Sequence, residues 1–61
     1  MTEAMAKALL RKHLIGDVGE HRWPPIAKLI KLGYLADEPP YLVVTPKGRA
    51  WCDAHHMEYA I

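Results

Sequence analysis

Ile26-Ala27-Lys28-Leu29-Ile30-Lys31-Leu32-Gly33-Tyr34-Leu35 and, after five residues, Tyr41-Leu42-Val43-Val44-Thr45-Pro46-Lys47-Gly48 form the stretch on which the fold turns. Ile26, Leu29 and Ile30 repeat at helical spacing, and Pro24-Pro25 just before them suit a first helical turn, where no amide donor is needed. A helix is therefore expected over about 24–32. Gly33 stops it, since glycine takes the left-handed conformation at little cost, and Tyr34 stands where a residue after such a cap packs back, here against Leu29. Tyr34-Leu35-Ala36 and Tyr41-Leu42-Val43-Val44 are β-favouring runs. They are separated by Asp37-Glu38-Pro39-Pro40, so they read as a hairpin with a stiff four-residue tip. Thr45-Pro46 restarts a helix, with the hydroxyl as cap and proline in the first position. Ala50, Trp51, Ala54, His55 and Tyr59 share one face of that last helix, expected over about 46–58.

Towards the amino terminus, Thr2 and Glu3 place a capping hydroxyl and a carboxylate at a helix start. Met5, Leu9 and His13, flanked by Ala8, Leu10 and Leu14, form an apolar stripe, while Glu3, Lys7 and Arg11 follow one another at i, i+4 on the other side. This helix is expected over about 3–15, ended by Gly16. Residues 16–23 hold two glycines and no sustained period and read as a loop, with Trp23 returning to the core. The chain shows no internal repeat and no low-complexity segment. The expectation is one α+β domain over 1–61: helix, helix, hairpin, helix.

With 61 residues, 51% of them hydrophobic and 25% charged, the composition is that of a small folded domain. Such a chain buries only ~60% of the surface its unfolded form exposes, so pairing as a homodimer is one way to gain stability. Cys52 is the single cysteine, which excludes an internal disulfide and points to a reducing, cytoplasmic compartment. No apolar run reaches membrane-span length, and no secretory leader pattern opens the chain. Eight Lys and Arg against seven Asp and Glu give a net charge of +1, so any DNA contact has to come from local clustering of charge.

From Pro24 to Cys52 the pattern of helix, Gly33, hairpin and Thr45-Pro46-Lys47-Gly48 resembles the second half of bacterial winged-helix transcriptional regulators of the MarR and PadR kind. The resemblance implies a winged-helix-like domain that binds DNA, with the 24–32 helix in the major groove and the hairpin as its wing. Arg22, Lys28 and Lys31 around that helix, with Lys47 and Arg49 at the start of the next, are then the candidate phosphate contacts. The plainer reading of all five is a solvated surface. Lys7, Arg11 and Lys12 read as the wet side of an amphipathic helix. This chain departs from the family in three places: about eight residues separate the first two helices, the recognition helix begins with two prolines, and the wing tip is Asp37-Glu38 rather than basic.

The acidic tip motivates a second expectation. Among the aromatics, Trp51 and Tyr34 are assigned to the core and Tyr41 and Tyr59 to the surface. Asp37, Glu38 and Tyr41, stiffened by Pro39-Pro40, then form an acidic and aromatic knob suited to a basic protein partner. A phage- or plasmid-type accessory adaptor or inhibitor, docking on a host protein through a winged-helix scaffold, would use such a knob.

Cys52 and His56 sit at i, i+4, and His13 and His21 could complete four zinc ligands, but zinc sites read from sequence show two tight ligand pairs and only one loose pair exists here. A buried structural thiol with half-exposed histidines is the simpler account, and no metal or cofactor is expected. His13, His55 and His56 beside the Cys52 thiol also lack an orienting third group and a pocket, so the chain is read as a binding protein with no catalytic residues.

Overall fold

The computed structural model describes residues 1–16 and 23–59. Helix α1 spans Glu3–Leu14. The Thr2 hydroxyl accepts the Met5 amide at 3.2 Å, and the amides of Ile15 and Gly16 both donate to the Arg11 carbonyl at 2.9 Å, with Gly16 at φ +89°. Met5, Ala6, Ala8, Leu9 and Leu10 are buried, and Glu3 pairs with Lys7 at 3.9 Å on the far side. Leu14, expected beside the apolar stripe, is instead exposed. At 100° per residue it lies about 140° around the axis from Leu9, on the side of Lys7.

Helix α2 spans Pro24–Lys31. Trp23 precedes it and contributes its carbonyl, which accepts from the Ile26 and Ala27 amides at 2.9 and 3.0 Å. The indole does not return to the core as expected: Trp23 is 44% exposed, because Ile26 and Leu29 supply the inward side of this element and Trp23 lies outside the helix. At the other end Gly33 adopts φ +85°. Its amide donates to the Ile30 carbonyl at 3.1 Å, and the Tyr34 amide to the Leu29 carbonyl at 3.0 Å. This is the double bond pattern of a glycine-terminated helix, and it turns the chain directly into the hairpin.

Strands β1 (Leu35–Glu38) and β2 (Tyr41–Val44) pair antiparallel, with Leu35 opposite Val44, Ala36 opposite Val43, Asp37 opposite Leu42 and Glu38 opposite Tyr41. The tip is therefore Pro39-Pro40 alone, joined by a cis peptide bond, and not the four residues expected. Asp37 and Glu38 have amides to place in the ladder, whereas the two prolines have none. Alternation puts Leu35, Asp37, Leu42 and Val44 on the face turned to the helices, and Ala36, Glu38, Tyr41 and Val43 on the outer face.

Helix α3 spans Pro46–His55, three residues shorter than expected, and a turn then carries the chain through Met57 to Tyr59. Tyr59, expected on the surface, is half-buried against the core with its ring 6.2 Å from that of Trp51. The shortened helix lets the last residues fold back instead of running on. Leu9, Leu10, Ile26, Leu29, Leu35 and Cys52 form the innermost layer, drawn from α1, α2, β1 and α3. The fold is thus α+β and winged-helix-like, in the order helix, helix, hairpin, helix.

Candidate nucleic-acid interface

Since Ile26 and Leu29 take the inner side of α2, helical geometry leaves Pro24, Ala27, Lys28 and Lys31 on its solvent side. Lys28 and Lys31 are exposed, and among the described residues neither has an ion-pair partner. Arg22, placed with them from the sequence, lies outside the described residues.

What holds this helix at its angle is the segment Thr45-Pro46-Lys47-Gly48. The Thr45 hydroxyl donates to the Gly33 carbonyl at 2.6 Å and accepts the Gly48 amide at 3.1 Å, while the Thr45 amide donates to the Tyr34 carbonyl at 3.1 Å. One side chain thus caps α3 and ties it to the end of α2. The Lys47 ammonium donates to the Leu32 carbonyl at 2.9 Å and lies 4.6 Å from the centre of the Tyr34 ring. A cation placed on the last carbonyls of a helix is favoured by the aligned peptide dipoles. Gly48 is buried, and a Cβ there would overlap the Tyr34 carbonyl oxygen, with the Tyr34 carbonyl carbon and Val44 Cγ1 at 3.1 Å. Only glycine lets α3 approach the start of β1 so closely.

The five basic residues grouped from the sequence are accordingly distributed. Lys28 and Lys31 share one face, and Lys47 is engaged at the carboxyl end of the same helix. Arg49 is about 160° around α3 from Lys47, beside Pro46, Ala50 and Asp53 on a shallow surface groove. Sequence reading missed that Lys47 belongs to the joint between α2 and α3. The available signal was Gly48, a poor helix former in the first turn of a helix, where its presence marks a close backbone approach.

On the hairpin, Glu38 and Tyr41 stand opposite each other on the outer face, and Tyr41 is 71% exposed. Asp37 is on the other face, so the two acids of the expected knob are separated by the sheet. Cys52 is buried, and that burial, reinforced by the neighbouring Asp53 carboxylate, pushes its thiol above the ordinary thiol range. His13 Nε2 lies 3.8 Å from Asp53, and His56 Nδ1 lies 3.2 Å from the Asp53 carbonyl. His55 stacks on Trp51 at 4.4 Å and lies 3.1 Å from Glu58. Among the described residues no three His, Cys, Asp or Glu side chains are arranged to hold a metal ion, and His21 falls outside them. No helix among them is long and apolar enough to cross a membrane.

No family model, curated protein or solved structure matches this chain.

Proposed function

We propose that the chain is a minimal winged-helix DNA-binding protein, a transcriptional regulator that presents α2 to the major groove. The observation that carries this reading is the pair Lys28 and Lys31, without an ion-pair partner among the described residues, on the solvent face of a helix whose far end is locked by Thr45, Lys47 and Gly48. A rigid helix with two unengaged cations matches the requirements of phosphate contact, in which positioning comes from charge and the helix frame. Ala27 and Pro24 between them leave the helix slim enough to approach base edges. Glu38 on the wing repels the backbone, so the contact is confined to α2.

Binding of a labelled duplex titrated with salt tests the proposal. Two phosphate contacts give a slope of log affinity against log salt of about −2. Lys28→Ala with Lys31→Ala removes most of it. Absence of binding at low salt, or equal slopes for the two proteins, overturns the reading.

A second reading is favoured by the outer hairpin face, where Tyr41 is exposed opposite Glu38: an accessory adaptor that docks a basic host protein there. Its test is recovery of a partner by wild-type chain and by Glu38→Lys with Asp37→Lys. An unchanged catch removes the hairpin from the interaction.

A further inference from the structure

Two exposed surfaces of this chain are complementary to each other. The outer face of the hairpin carries Ala36, Val43 at 40% exposed and Tyr41 at 71%, with Glu38 directly across from Tyr41. Among the described carboxylates, Glu3 pairs with Lys7, Asp53 with His13 and Glu58 with His55, whereas Glu38 has no partner. The solvent face of α2 has the opposite character: Lys28 and Lys31, with no ion-pair partner among the described residues, stand beside Pro24 and Ala27, with Leu32 half-exposed at its end. Within one copy, no described residue answers either charge with an ion pair.

We infer that two copies of this chain pair reciprocally, the outer hairpin face of each seated on the α2 face of the other. In such a pair each contact occurs twice, related by the two-fold axis, and the assembly closes after two copies. Tyr41 and Val43 supply the apolar centre, meeting Pro24, Ala27 and Leu32, and Glu38 meets Lys28 and Lys31 at the rim. The aromatic centre carries most of the affinity, while the rim charges set register and partner choice. A domain of this size gains from covering such surface, because its own core leaves much apolar area exposed. Pairing of this kind covers the lysines assigned to DNA, so self-association and DNA binding exclude one another. That consequence rests on the DNA reading; the pairing does not.

Sedimentation of the full chain over a concentration series, at low and at high salt, tests the inference. A reversible monomer–dimer equilibrium that weakens with salt is expected, since rim charges are screened beyond about 8 Å at physiological ionic strength. Glu38→Lys alone, and Lys28→Glu with Lys31→Glu, each weaken pairing about tenfold by placing like charges together. An equimolar mixture of the two variants restores both contacts and pairs again. All of these positions are exposed, and circular dichroism verifies that each variant is folded. A chain that stays monomeric at every concentration overturns the inference, as does a dimer indifferent to salt and to both variants, or a mixture that fails to pair. Glu38→Lys keeps the α2 lysines, so it separates the two ideas: DNA bound by neither wild type nor Glu38→Lys sinks the DNA reading and leaves the pairing result standing.

Discussion

Gly48→Ala sets two physical effects of opposite sign against each other. Gly48 is the third residue of α3, and alanine in a helix is ordinarily favoured over glycine by roughly 0.5–1 kcal/mol. Local propensity alone therefore predicts a more stable protein. The packing predicts the reverse, because the added methyl would overlap the Tyr34 carbonyl oxygen, a backbone atom that accepts the Thr45 amide just before β1 begins. Forcing a methyl group into a filled space costs about 1–3 kcal/mol. Relief comes by moving α3 away, and that movement stretches the Thr45 hydroxyl bond to Gly33, the Thr45 amide bond to Tyr34 and the Lys47 bond to Leu32. Each such bond contributes about 0.5–1.5 kcal/mol net. With the propensity gain subtracted, the midpoints of these ranges leave a net loss of roughly 3 kcal/mol for the clash and two weakened bonds. For a domain whose whole stability is only about 3–9 kcal/mol, that is a large fraction. The expected fall in Tm is at least about 10 °C at this chain length. Urea unfolding followed by tryptophan emission, with the slope unchanged, measures it. Adding Thr45→Ala to Gly48→Ala should cost less than the sum of the two, since both act on the same joint. A Gly48→Ala protein as stable as wild type refutes the reasoning, and with it the claim that α3 lies against the start of β1.

Thr45→Ala alone removes the cap on the Gly48 amide and the donor to the Gly33 carbonyl, and is expected to destabilise by about 1–2 kcal/mol in urea titration. Lys47→Met keeps an apolar stem over Tyr34 but loses the ammonium at the end of α2; Tm should fall by a few degrees while the salt slope of DNA binding stays unchanged, and a shallower slope would place Lys47 on phosphate instead. Burial raises the Cys52 thiol above its unfolded value, so the unfolded chain loses this proton first as pH rises. Stability from that difference is complete below about pH 8.5 and declines as pH climbs through the higher folded value, a slope that Cys52→Ala should abolish. Thiol labelling at neutral pH should likewise be slow in the native protein and fast in urea.

Those elements of the fold governed by neighbours in sequence were legible. Thr2 and Thr45 cap as their positions require, Gly16 and Gly33 end their helices with positive φ, and the alternation of Leu42, Val43 and Val44 separates the two faces of β2. Errors fell where a distant element decides. Trp23 and Tyr59 are of similar character, but Ile26 and Leu29 already fill the inner side of α2 and leave Trp23 exposed, while the turn after α3 brings Tyr59 onto Trp51. Asp37 and Glu38 look like turn residues until their partners Leu42 and Tyr41 are known; each has an amide to place in the ladder, which Pro39 and Pro40 lack.

The basic residues show the same division most plainly. Spacing on a helix says that Lys47 and Arg49 diverge, but it cannot say which carbonyl lies within reach of Lys47; that depends on how α3 crosses the end of α2, and the crossing is permitted by the missing side chain at Gly48. A lysine held by a helix terminus and an aromatic ring gives up those contacts if it turns to a phosphate, whereas Lys28 and Lys31 have no ion pair with any described residue to give up. The cost of binding a polyanion is therefore lowest at α2. Five cations of equal standing in the sequence become two without an ion-pair partner among the described residues and one that holds their helix in position, with Arg49 facing elsewhere and Arg22 outside the described residues.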